Sequence, residues 1–190
     1  LNIEESKKLL AAIDGKHKER DYAIITLFLN CGLRLSELVN INIGNIKNDT
    51  LTVIGKGNKE RTIYLNNACI KAIDAYLKVR PVNGVKDKNA LFISERKQRI
   101  SNKTVQHIVK KYVSLAGLDP ERYSAHKLRH TAATLMYKHG NVDIRALQQI
   151  LGHESVSTTE IYTHVDSAQL RNAVDSNPLA NVEMHDTDEG

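Results

Sequence analysis

Over the first third of the chain the apolar positions pass from a helical stripe to a solid run and then to strand-like alternation. Asn2 followed by Glu5 has the spacing of a capping box and predicts a helix reaching about Ile13. Residues 20–31, RDYAIITLFLNC, are apolar nearly all round, which predicts a central, buried helix. Gly32 ends it in the manner of a C-cap, and Ser36 is placed to cap a short helix over 37–40. From Ile43 to Leu65 the period changes, and three short strands are expected, with turns at Asn48-Asp49 and at residues 55–59, Gly-Lys-Gly-Asn-Lys. A helix resumes after Asn66-Asn67, with Ile70, Ile73, Tyr76 and Leu77 inward and Lys71, Asp74 and Lys78 outward.

A basic, turn-rich stretch over 81–99, holding the short apolar run Leu91-Phe92-Ile93, leads to a second N-cap at Ser101. The helix expected over 102–116 divides cleanly at 100° per residue. Val105, Ile108, Val109 and Tyr112 share one face; Lys103, Gln106, His107 and Lys110 share the other. Further helices are expected over about 126–138 and 143–151, the latter stopped by Gly152. The capping box Ser157-Thr158-Thr159-Glu160 opens a short one with Tyr162 in its second turn. A last helix runs from Ser167 to about Val174, with Ala168, Leu170, Ala173 and Val174 as its apolar residues. The fold class expected is mainly α with a small three-stranded antiparallel β-sheet, in one domain over 1–177 without repeats or a long linker.

Composition narrows the setting. The chain has 190 residues, 41% of them hydrophobic, and no apolar run approaches the ~20 residues of a membrane helix, so no membrane partner is expected. It opens on Leu1 with no charged-then-apolar leader, so no signal peptide is expected, and a helix cap at Asn2 reads as a domain cut from a longer chain. Cys31 and Cys69 both fall in apolar helical patterns and read as buried free thiols in a reducing cytoplasm. The net charge of +5 hides an asymmetry. Five of the 22 acidic residues, and none of the 27 Lys and Arg, lie from Asp175 onward, so the rest sets 27 basic residues against 17 acidic. A body that basic attracts polyanions, of which nucleic acid is the commonest, although a merely solubilising surface has the same charge. The acidic, proline-containing tail over 178–190 is expected to be disordered.

Several residues are suited to handling a phosphodiester. Arg34 follows the Gly32 break, where a guanidinium presents a bidentate fork, with Glu37 three residues on to orient it. Lys56 lies in a turn with a glycine on each side, so the backbone can approach a ligand closely. Nearby, Lys59 and Arg61 fit contacts to a DNA backbone. His126 and Arg129 are neighbours on one face at the positive end of a helix, a seat for a phosphate. His126 and His130 have the spacing of a zinc pair, but Lys127 stands where a metalloprotease needs Glu, so no metal is expected and His130 reads as structural. His153 projects after the Gly152 stop. Tyr162 is one of seven tyrosines, and the only one tied to His153 by a short capped segment. On the helix over 102–116, Lys103, Gln106, His107 and Lys110 suit phosphates and base edges if that helix lies on DNA, or a plain solvated face if not.

Taken in order, CGLRLSELV, VIGKGNKER, HKLRHT, LGH and TTEIYTH closely resemble the catalytic domain of tyrosine recombinases, the phage integrase family that includes Xer-type resolvases and transposon integrases. The resemblance covers residues 1 to about 175 and departs from the family pattern at none of Arg34, Lys56, His126, Arg129, His153 and Tyr162. It implies that Tyr162 attacks the scissile phosphate to give a 3′-phosphotyrosine and a free 5′-hydroxyl. Arg34 and Arg129 would hold the non-bridging oxygens with His153 as a further donor, His126 would assist proton transfer, and Lys56 would act as general acid, with no cofactor. The partners implied are double-stranded DNA bearing an inverted-repeat site and further copies of the chain, in a tetramer on DNA. The helix over 167–174 either docks on the neighbouring copy or folds back on its own domain. An amino-terminal DNA-clamping domain upstream and a place at the nucleoid in a bacterial cytoplasm complete the expectation. Two alternatives share the scaffold: a type IB topoisomerase and a catalytically silent DNA-binding regulator. A metal-dependent nuclease is disfavoured, since no carboxylate cluster accompanies the histidines.

Overall fold

The computed structural model of the chain describes residues 1–139, 143–151 and 167–184, leaving aside the side chains of Lys56, His139 and Ser167. Within these residues there are eight α-helices: α1 (Ile3–Ala11), α2 (Lys18–Cys31), α3 (Leu35–Val39), α4 (Asn67–Val79), α5 (Asn102–Leu115), α6 (Ala125–His139), α7 (Ile144–Leu151) and α8 (Ser167–Asp175). Between α3 and α4 lies one antiparallel sheet of three strands in the order β1 (Ile46–Lys47), β2 (Thr50–Ile54), β3 (Glu60–Tyr64). The β2–β3 register pairs Leu51 with Ile63 and Val53 with Arg61. Among the described residues no helix is long and apolar enough to cross a membrane.

The all-round apolar sequence of α2 has the consequence that the pattern predicts. Every residue from Arg20 to Leu33 is buried, with α4 and α6 packed against the helix and α1 and α5 beside it. Its two buried charges are paired: Arg20 Nε donates to Asp21 Oδ1 at 3.0 Å, and the Tyr112 hydroxyl donates to Asp21 Oδ2 at 2.8 Å. Burial without such partners costs several kcal/mol, roughly 2–7 per polar group in an apolar medium. The α1 capping box forms as its spacing requires, Asn2 Oδ1 accepting the Glu5 N–H and Glu5 Oε1 accepting the Asn2 N–H. Cys31 and Cys69 are free, buried and 3.6 Å apart where α2 meets α4.

Three expectations are corrected. The cap of α3 is Arg34, not Ser36, because Glu37 Oε1 accepts the Arg34 N–H at 2.8 Å and closes the helix start one residue pair earlier. Leu77 is 39% exposed, and the inward stripe of α4 consists of Cys69, Ala72, Ile73 and Tyr76 instead. Small residues there let α4 approach α2 closely, and Leu77, 100° round from Tyr76, falls off the edge of the stripe. Of the apolar residues of α8, Ala168 is exposed, while Leu170, Ala173 and Val174 complete a second small core with Ala132, Met136, Ala146 and Ile150 of α6 and α7.

The third is the tail. Residues 178–184 are not a loose acidic extension. Leu179 and Ala180 are fully buried, the Ala68 N–H donates to the Ala180 carbonyl at 2.7 Å, and Lys71 pairs with Glu183. Asn177 holds the turn, donating from Nδ2 to the Leu29 carbonyl at 3.1 Å and accepting the Leu179 N–H at Oδ1. Acidic composition was the wrong guide because two apolar residues and one amide suffice to anchor so short a segment. Residues 185–190 lie outside the described residues.

Candidate active site

The site begins with a backbone requirement at Gly32. It closes α2 in the left-handed region, at φ 63° and ψ 35°, which an L side chain adopts only with strain. A Cβ there would also sit 2.5 Å from Leu151 Cδ2 and 3.9 Å from Arg129 Cγ. Glycine therefore turns the chain and admits α6 and α7 to the end of α2. The turn delivers Arg34, in an extended conformation, to the start of α3.

From the other side, α6 opens with Ala125 and carries His126 in its first turn and Arg129 one turn later on the same face. Arg129 is only 8% exposed, and its Nη2 donates to the Leu151 carbonyl of α7 at 2.6 Å. Burial, and then the neighbouring Arg34 cation, push the Arg129 pKa down to about 10, with Glu37 acting in the opposite sense. It stays charged at neutral pH, close to a second arginine. Such a pair is short of negative charge.

The two arginines face a cleft of 440 Å³, whose wall also includes Gln106 of α5, His126 and His130, over a floor of Leu33 and Leu151. No carboxylate is among its described lining residues, and no group of three or more His, Cys, Asp or Glu suited to a metal ion occurs among the described residues. His126 and His130 lie Nε2 to Nε2 at 3.1 Å with their rings at right angles, so one nitrogen must carry the hydrogen that the other accepts. Burial, then His126, Lys127 and Arg129, lower the His130 pKa, which keeps that ring neutral at pH 7.

The structure thus brings Arg34, His126 and Arg129 together. His130, given only a structural part by the sequence, stands in the same wall; its i+4 spacing from His126 was the available signal. Glu37 is 3% exposed and does not form a surface pair with the Arg34 guanidinium. It binds the Arg34 backbone and takes the Arg61 guanidinium at 2.7 and 3.2 Å. Arg61 also donates to the Ile150 carbonyl, so its fork is engaged inside the protein.

The remaining candidates are spread more widely. Lys59 is exposed near the tip of the hairpin. The Lys56 backbone lies in a 3₁₀ turn over Lys56–Asn58, with Gly57 at φ 76°, and its side chain is outside the description. Lys103, Gln106, His107 and Lys110 are all exposed on α5. Of these only Gln106 reaches the cleft; His107 borders a separate pocket beside Asp14 and Arg20, and Lys110 pairs with Glu121 at 3.4 Å. His153 and Tyr162 lie outside the described residues, which on α7 run to Leu151.

Comparison with known proteins settles the lineage. A family model described as the phage integrase family matches residues 1–169. The chain belongs to the phage integrase family. Within it, the chain is 73% identical over 180 residues to a tyrosine recombinase XerC of Caldanaerobacter subterraneus subsp. tengcongensis, covering 95% of this chain and 51% of that protein. It is 43% identical over 157 residues to a tyrosine recombinase XerD of Yersinia pestis, covering 80% of this chain and 52% of the relative. Among solved phage integrase family structures, the XerA recombinase superposes with a TM-score of 0.73 at 34% identity, over 90% of this chain and 62% of that one. XerH, solved as a post-cleavage complex with a palindromic difH substrate, gives 0.71 at 30%, over 92% of this chain and 51% of that one. The chain spans about half the length of the curated relatives it matches.

Proposed function

We propose that this chain is the catalytic part of a site-specific tyrosine recombinase that breaks and rejoins double-stranded DNA at an inverted-repeat site. The observation that carries the reading is the cleft in which Arg34, His126 and Arg129 converge, with no carboxylate among its described lining residues. Arg34 and Arg129 cradle the non-bridging oxygens of one phosphodiester. The Tyr162 phenol, whose ordinary pKa of about 10 leaves it protonated, gives its proton to His126 as its oxygen bonds to phosphorus. The bond from phosphorus to the 5′-oxygen breaks, and that oxygen takes a proton from Lys56, leaving a 3′-phosphotyrosine and a free 5′-hydroxyl. His153 adds a donor to the crowded phosphorane. Rejoining runs the same transfers backwards with the 5′-hydroxyl of another strand as nucleophile. One ester replaces another, so no ATP is consumed. Fixed cations supply the charge that a metal ion supplies elsewhere, so no cofactor enters the scheme.

Recombination needs two paired sites, which we read as four copies of the protein on DNA. The apolar side of α8 is spent on its own domain, so this helix is not the contact we assign to that assembly. Chromosomal substrates place the protein at the nucleoid of a bacterial cytoplasm. Names of relatives, recombinases throughout those compared above, favour this reading over a topoisomerase.

The test is a nicked suicide duplex carrying the inverted repeat, incubated with the full-length protein in EDTA. A covalent protein–DNA adduct is expected, and Tyr162→Phe should eliminate it. Arg34→Ala and Arg129→Ala should slow its formation by about 10²–10³. Adduct from the Phe variant, or an absolute need for a divalent metal, overturns the scheme.

A further inference from the structure

The guanidinium of Arg61 joins three parts of the molecule that each lead to a residue of the proposed chemistry. It grips both oxygens of Glu37, through Nη2 to Oε1 at 2.7 Å and Nε to Oε2 at 3.2 Å. Glu37 in turn holds the backbone N–H of Arg34. The third arm donates to the Ile150 carbonyl at the end of α7, beside the Leu151 carbonyl taken by Arg129. Arg61 itself belongs to β3, five residues after Lys56.

Position along the hairpin gives this contact its weight. Leu51, Val53 and Ile63 anchor the base of β2 and β3 in the core, whereas Ile54 and Glu60, the last pair before the turn, are exposed. Arg61, next to Glu60, thus ties the hairpin close to its tip. There the Gly55 N–H donates to the Lys59 carbonyl at 2.8 Å, and a Cβ on Gly55 would stand 3.7 Å from Glu37 Oε2, so the turn backbone rests beside the same carboxylate. With side-chain exposures of 16% and 2%, the Arg61–Glu37 pair is largely desolvated. Buried ion pairs are often no more stabilising than apolar replacements, and what this one supplies is a fixed geometry.

We infer that Arg61 is a positioning residue for strand cleavage: by bridging Glu37 and the Ile150 carbonyl it holds the β2–β3 hairpin, and with it Lys56, in register with the arginine cleft. The inference rests on the proposed function, in which Lys56 protonates the departing 5′-oxygen. Lysine in place of Arg61 keeps the charge but has one compact donor where three directed ones are used.

Single-turnover cleavage by the full-length protein is measured on an ordinary duplex and on one with sulfur replacing the bridging 5′-oxygen, a leaving group that departs without a proton. Arg61→Lys is expected to cleave the ordinary duplex at least about tenfold more slowly, with DNA affinity unchanged. The defect should largely vanish on the sulfur duplex and add nothing in a Lys56→Ala background. Glu37→Gln, which keeps the side-chain shape, should give the same pattern if Arg61→Lys fails to fold by thermal unfolding. Weakened DNA binding would make Arg61 a phosphate contact instead. An equal loss on both duplexes, or a loss that multiplies that of Lys56→Ala, would also overturn the inference. Lys56→Ala alone is the control on the underlying scheme: full activity there removes Lys56 as the acid, independently of the Arg61 results.

Discussion

Gly32 is where a single missing side chain does most for the site. Its positive φ costs an L residue about 1–2 kcal/mol, and a Cβ would collide with Leu151 besides. Gly32→Ala should therefore lower stability by about 2 kcal/mol or more in urea unfolding, overpacking included. Cleavage should fall further than DNA binding, because the methyl presses on the Leu151 side chain lining the cleft, beside Arg129 Cγ. Protonation has a readable signature too. His17 and His130 both have pKa values below the ordinary 6.5, chiefly through burial, and His17 Nε2 has no hydrogen-bond partner. The folded chain then binds fewer protons than the unfolded one between those lowered values and 6.5. The stability contributed by these two rings is thus fully present above about pH 6.5 and declines as the pH falls through that window. The urea midpoint should be lower at about pH 5.5 than at pH 7.5, and His130→Asn should shrink the difference. At this scale motif and spacing singled out Arg34, His126 and Arg129, which the fold brings to one cleft. The sequence misjudged Arg61, since a guanidinium on a basic hairpin looks the same whether it meets a phosphate or a buried carboxylate.

Among the elements, α5 was read most completely. Its inward and outward faces match the 100° division residue for residue, because amphipathic period is local and nothing interrupts it over 14 residues. If the outward face lies along DNA, Lys103→Ala should weaken binding uniformly across sequences. It should also reduce the salt slope by about 0.9, the share of one neutralised phosphate, as measured by affinity titrations over a salt series. Lys110→Ala should cost well under about 1 kcal/mol of stability, its partner Glu121 being solvent-exposed. An unaltered salt slope for both variants would return α5 to a solvated face. The start of α3 was less legible. Ser36 has the side chain of a cap, yet it is the Glu37 carboxylate that accepts the Arg34 N–H, and Arg61 from the sheet holds that carboxylate in place.

Over the molecule as a whole, residues 177–180 close the core. Asn177→Ala removes one donor and one acceptor at a 2% exposed site, leaving the Leu29 carbonyl unpaired there, and should cost about 1–3 kcal/mol. Leu179→Ala should cost about 2–5 kcal/mol, so both variants should shift the urea midpoint although neither touches the cleft. Unchanged midpoints would mean that the tail leaves the core without penalty. The order and kind of the elements, the central burial of α2 and the family motifs could all be read from the string of residues, because periodicity, caps and short signatures act between neighbours. Folding in three dimensions was needed to pair Arg61 with Glu37 and Ile150, to set His130 against His126 in one wall, and to bury Asn177 against Leu29. Those choices join positions 24, 89 and 148 apart, or turn on which face of a helix meets a cleft, and they are made by geometry and desolvation rather than by local preference.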